Sequence, residues 1–116
     1  MYLTAFDQSG PGIKIVAAVA APVGLQAVSE GQGIKTNQYR VQNNGTATVW
    51  YAFSDVSAAA AQSNAVAPSG ASDTAKRGIP LGAGAIEIIS APPNAWFSAS
   101  IVAATADVYV TPGRGV

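Results

Sequence analysis

The chain has 116 residues with six Lys plus Arg balanced by six Asp plus Glu, and it contains no His and no Cys. One domain with a single core fits that length, and the missing thiols exclude both a disulfide framework and a thiolate zinc site. Without imidazole the usual general base and the commonest metal ligand are gone, and a formal net charge of zero offers no basic footprint for nucleic acid. Charged residues make up 10% of the chain, against about 25% in an ordinary soluble domain. With 49% hydrophobic residues and little repulsion between copies, much of the surface is expected to be covered by protein. The alternative is that the many Ala residues raise the hydrophobic count without making adhesive patches.

Residues 1–12 carry Tyr2, Leu3 and Phe6, followed by Gln8-Ser9-Gly10-Pro11-Gly12. A segment broken in this way by Gly and Pro reads as an extended N-terminal arm, laid across its own sheet or on a neighbour. From residue 13 to 116 the chain reads as a single β-sandwich domain. Ile13 to Val19 predicts a strand ended by Pro22 and Gly24. The apolar window around it contains Lys14 and Pro22 and is shorter than the roughly 20 apolar residues of a membrane-spanning helix. Ala17 to Ala21 has the small residues of a signal-peptide cleavage site, but Asp7 precedes it and no Lys or Arg comes before Lys14. Leu25 to Glu30 predicts a second strand, closed by Gly31-Gln32-Gly33.

Tyr39, Val41, Val49, Tyr51 and Phe53 alternate on either side of Asn43-Asn44-Gly45. That is the pattern of a β-hairpin in which Asn44-Gly45 bends the chain with positive φ. Trp50 and Ala52 make the second strand apolar on its other face as well, so that face is expected to meet a further layer, a loop or another subunit. Ser57 to Gln62, with its run of Ala, predicts a helical turn or two. Ser63 to Gly78 predicts a long surface loop containing Lys76-Arg77, a basic pair that is either solvated or a docking point for an acidic patch. Ala85 to Ser90 predicts a strand with Ile86 and Ile88 on one side and a solvated, outward Glu87. After the turn Ala91-Pro92-Pro93-Asn94, Ala95 to Ala103 places Phe97, Ala99 and Ile101 on one face. Ala106 to Thr111 then sets Val108 and Val110 opposite Asp107 and Tyr109. Seven or eight short strands with turns at this spacing predict an all-β chain, an antiparallel sandwich of jelly-roll-like form preceded by the arm.

Chemistry finds little support. The six carboxylates, Asp7, Glu30, Asp55, Asp73, Glu87 and Asp107, are not spaced as a glycosidase pair or a calcium loop. Ser occurs in no Gly-x-Ser-x-Gly elbow, and Gly82-Ala83-Gly84 precedes a strand instead of joining a strand to a helix as a phosphate loop does. No catalytic residue, metal or cofactor is expected. The aromatic residues Tyr39, Trp50, Tyr51, Trp96 and Tyr109 supply either a sugar-stacking platform or, at strand spacing, core and interface.

Tyr39-Arg40-Val41-Gln42-Asn43-Asn44-Gly45 running into Val49-Trp50-Tyr51-Ala52-Phe53, then Ile79 to Glu87, Ala91 to Trp96 and Val108 to Gly113, resembles small bacteriophage virion proteins of the capsid cement or decoration type. The resemblance spans about the C-terminal two thirds of the chain. It implies a β-sandwich on the outside of an icosahedral head, assembled in the host cytoplasm, that bridges copies of the major capsid protein and forms a homo-oligomer, dimer or trimer. It carries over no fixed functional residues. The side chains expected at interfaces are Tyr2, Leu3 and Phe6 of the arm, Trp50 and Trp96, and Lys76 with Arg77; nucleic acid and membrane are not expected partners. A neck, tail or head-fibre component of the same fold, or a carbohydrate-binding module using Trp50 or Trp96, are the alternatives.

Overall fold

Tyr39 and Tyr51, two of the largest buried side chains, reach the core from opposite sheets. The computed structural model describes residues 7–28, 38–68 and 78–114. Along them run β1 (Asp7–Gln8), β2 (Ile13–Ala17), β3 (Leu25–Gln26), β4 (Gln38–Asn43), β5 (Val49–Ser54), α1 (Ala58–Asn64), β6 (Ile79–Leu81), β7 (Ile86–Ser90), β8 (Trp96–Ile101) and β9 (Ala106–Arg114). The first sheet has the order β1-β9-β4-β7, with β2 also on β9, and the second the order β3-β8-β5-β6. Every ladder between named strands is antiparallel.

The pairing is nested. β2 lies on β9, β3 on β8, β4 on β7 and β5 on β6, as though one long ribbon had been folded at the β5–β6 connection. The ladders β4–β9 and β5–β8 then join its arms into two sheets. Between the sheets lie Ile15, Tyr39, Val41, Val49, Tyr51, Phe97, Ala99, Ile101, Val108 and Val110, all buried. Phe97 is at the centre, its ring 4.9 Å from that of Tyr39 and 5.9 Å from that of Phe53. The alternation expected for Phe97, Ala99 and Ile101, and for Val108 and Val110, is present, because a strand half-covered on one side needs an apolar residue at every second position.

The hairpin expected between Tyr39 and Phe53 does not form. β4 has both edges occupied by β7 and β9, and β5 both edges by β6 and β8, so residues 44–48 carry the chain from one sheet to the other. Asn43 makes that crossing. It is fully buried, its Nδ2 donates to the carbonyls of Ala47 (2.8 Å), Leu81 (3.0 Å) and Gly82 (3.2 Å), and its Oδ1 accepts from Gly45 N–H (2.9 Å). Gly45 is needed for close packing and not for a positive φ: a Cβ there would lie 2.5 Å from Ala106 Cβ.

Glu87 also departs from expectation. Register with β4 sets Glu87 opposite Val41 and Ile89 opposite Tyr39, which turns Glu87 and Ile89 to the core side and Ile86 and Ile88 outward. The reason lies across the sandwich. Tyr51, 1% exposed, brings a phenol that must find an acceptor, and it donates its O–H to Glu87 Oε1. Glu87 itself stays exposed at the rim.

Of the expected arm, residues 1–6 lie outside the described residues, and Asp7–Gln8 form an edge strand on β9. Ser9 N–H donates to Pro112 O (2.9 Å). Pro112, which has no N–H to offer on that side, faces the interruption at residues 9–12 between β1 and β2. Of the second expected strand, Leu25–Gln26 form β3, and residues 29 and 30 lie outside the described residues. The Ala-rich stretch is α1, begun by Ser57, whose Oγ accepts from Ala60 N–H at 3.1 Å.

Candidate functional site

The two outer faces of the sandwich are treated differently. On the β3-β8-β5-β6 sheet the outward positions are Trp50, Ala52 and Ser54 of β5, which pair with Ser100, Ser98 and Trp96 of β8. α1 packs on both strands, and the segment before β3 joins it. Gln62 Nε2 donates to Ala21 O (2.9 Å), Ser98 Oγ to Pro22 O (2.6 Å) and Gly24 N–H to Ala58 O (3.3 Å). Small residues make this fit possible, since a Cβ at Gly24 would lie 2.9 Å from Ala58 O. As a result Ala52, Ala61, Ser98 and Ser100 are buried. The cover that the second apolar face of β5 called for therefore comes from the chain's own helix.

Trp50 and Trp96 are both half-buried on this face. The ladder puts them at opposite ends, Trp50 across from Ser100 and Trp96 across from Ser54, a spacing of about 13 Å for four residues of strand. The covered Ala52–Ser98 pair lies between them, so they do not make one stacking platform. Tyr2, Leu3, Phe6, Lys76 and Arg77 lie outside the described residues.

On the other sheet no helix among the described residues lies over the outward side chains, and most of them are at least partly open to solvent, Thr111 being buried. Lys14 of β2 lies beside Tyr109 of β9, which lies beside Gln42 of β4, which lies beside Ile86 of β7. In the neighbouring row Thr111, Arg40 and Ile88 follow one another. Ile86 is 56% exposed, Val16 46%, Ile88 39% and Tyr109 37%. This face alternates aliphatic and aromatic surface with Lys14, Arg40 and the amide of Gln42. A mixed surface of that kind suits protein contact, in which apolar area supplies affinity and polar groups fix orientation. The sequence had signalled Trp50 and Trp96 in its place. The sequence pattern places Ile86 and Ile88 on the side of the strand opposite Glu87, but nothing in a short, two-faced apolar run says which side is inward.

A cleft of about 320 Å³ opens at the β5–α1 junction between Phe53, Ser54, Asp55, Val56, Ala60, Asn64 and Pro92. Asp55 is the one ionisable group in that lining, and Ser54 Oγ accepts from Val56 N–H (3.0 Å). Acid–base hydrolysis by paired carboxylates needs a second carboxyl within about 10 Å, and the cleft lining supplies none. Among the described residues no cluster of three acids is placed to hold a metal ion. The Tyr51–Glu87 pair is likewise a structural contact. Burial, the hydrogen bond to Glu87 and its negative charge all push the Tyr51 phenol well above its ordinary pKa, so it keeps its proton and acts as a donor. Tyr39 is raised too, chiefly by burial, while its O–H donates to Pro92 O (2.6 Å) and accepts from Ala95 N–H (3.3 Å).

No family model, curated protein or solved structure matches the chain. The geometry of this fold therefore carries the functional reading on its own.

Proposed function

We propose that this chain is a structural, non-enzymatic protein that attaches through the outer face of the β1-β9-β4-β7 sheet to a larger protein shell, as a capsid cement or decoration protein does on the outside of a viral head. The observation that carries the proposal is the contrast between the two faces: one covered over its middle by α1, the other left with Ile86, Ile88, Val16 and Tyr109 exposed among Lys14, Arg40 and Gln42. The nested strand pairing supports a jelly-roll reading of the sandwich, a fold used by viral capsid proteins and also by lectins and cupins. Fold alone does not select among these, whereas the open protein-like face favours a shell.

Magnitude favours repetition. Four strand positions about 4.8 Å apart and five residues long give a footprint on the order of 300 Å² in projection, well below the roughly 800 Å² per partner of a stable pairwise interface. One copy would hold weakly by this face, and firm attachment would come from a second contact or from many linked copies.

The test is co-expression with the capsid protein encoded in the same genome. Assembled heads are expected to sediment with the chain bound, and Ile86→Lys with Tyr109→Glu to release it while leaving its melting temperature within a few degrees. A genome without a capsid gene, or heads that sediment free of the unaltered chain, would overturn the proposal.

A further inference from the structure

Sheet edges are a hazard, because each presents unpaired N–H and C=O groups to any extended chain, and natural sandwiches blunt them. Three of the four edges here are blunted. β3 has two residues, β6 has three and contains Pro80, and the β1–β2 edge carries Lys14 and is interrupted by Gly10-Pro11-Gly12. β7 is the exception. It is five residues long, reads Ile-Glu-Ile-Ile-Ser without Lys, Arg, Pro or Gly, and no strand among the described residues lies on its outer edge.

We propose that β7 pairs antiparallel with β7 of a second copy about a two-fold axis at Ile88, joining the two β1-β9-β4-β7 sheets edge to edge. The hydrogen-bond parity selects this register. Asn43 N–H donates to Ala85 O (3.0 Å), and alternation in an antiparallel ladder then commits Ala85, Glu87 and Ile89 to β4. The backbone groups of Ile86, Ile88 and Ser90 point to the free edge. Centred on Ile88, the pairing sets Ile88 opposite Ile88 and Ile86 opposite Ser90, which satisfies all three residues in each copy, about six bonds in total. Glu87 then faces Ile89 of the other copy. A two-fold at Glu87 would instead set two carboxylates directly opposite each other, which is destabilising. Glu87 is the one charge guarding this edge, and its carboxylate is already engaged by the Tyr51 hydroxyl. The zero net charge of the chain adds no general repulsion.

This pairing uses the rim of the sheet and stands apart from attachment to a shell, so either can fail without the other. The absence of Cys from the chain makes a clean test. In the proposed register the Ile88 Cα atoms lie about 5.5 Å apart, inside the range a disulfide bridges, whereas the two Ile86 positions lie about 13 Å apart. Under mild oxidation of the full chain, Ile88→Cys is expected to form a covalent dimer at least tenfold faster than Ile86→Cys. Ile88→Pro removes only an outward N–H, so it is expected to abolish dimers in sedimentation velocity while leaving the far-ultraviolet circular dichroism intact. Equal crosslinking of the two Cys variants, or a folded Ile88→Pro chain that dimerises like the unaltered one, would overturn the pairing.

Discussion

Asn43 and Asn44 are adjacent and chemically identical, and the structure assigns them opposite importance. Asn43→Ala removes the two amide hydrogens shared among three carbonyls and the one accepted hydrogen bond. The carbonyls of Ala47 and Gly82 belong to exposed residues and regain water, but Leu81 is buried and Gly45 is half-buried. Leaving those two groups short of a hydrogen bond costs about 1–3 kcal/mol each, so a loss of about 2–6 kcal/mol is expected. A chain of 116 residues has a total stability of roughly 6–17 kcal/mol. At this size the melting temperature falls by about 4 °C per kcal/mol, giving a drop of about 8–24 °C. Asn43→Asp is expected to cost more at neutral pH, because a carboxylate cannot donate and would face three carbonyl oxygens. Asn44→Ala, at an exposed position, is expected to change stability by less than about 0.5 kcal/mol. Urea unfolding followed by fluorescence of Trp50 and Trp96 measures all three. Equal costs for Asn43→Ala and Asn44→Ala would refute the assignment of the inter-sheet crossing to Asn43.

Gly45→Ala is expected to destabilise by about 1–3 kcal/mol through overpacking, since its Cβ would meet Ala106 Cβ; adding Ala106→Gly should recover part of the loss in a double-mutant cycle of thermal melts. Ala104 holds a φ of 65° in an exposed turn, a conformation that costs an L-residue about 1–2 kcal/mol. Ala104→Gly is therefore expected to raise stability slightly, by up to about 1 kcal/mol after the added chain entropy is discounted, and a lower urea midpoint would contradict this. Tyr39 and Tyr51 both have phenol pKa values raised above 10.0 on folding, so the unfolded chain loses these protons first. Their contribution is complete below about pH 10 and falls as pH rises further, by up to about 1.4 kcal/mol per pH unit for each tyrosine. Tyr51→Phe should flatten that alkaline slope in a series of urea midpoints, and an unchanged slope would count against a buried, protonated Tyr51.

The sequence on its own determined what local chemistry determines. Ser57 followed by a run of Ala caps and propagates α1. Phe97, Ala99 and Ile101 alternate because one side of β8 is core. The absence of His and Cys closes off whole classes of chemistry before any fold is known. Pairing is different, because it joins residues far apart in the chain. Val41 and Val49 look like the two arms of a hairpin, yet each strand is already held between two others, and which neighbours those are depends on the entire ribbon. Ile86 and Ile88 could have faced inward as well as Ala85 and Ile89. The choice fell to register with Tyr39 and Val41 and to the acceptor that the Tyr51 hydroxyl required from the opposite sheet. The same holds for cover. Ala52 is apolar whether its lid is another molecule or the chain's own helix, and only the arrival of α1 over Ser98 and Ala52 decided that one face of the sandwich would be closed and the other left open.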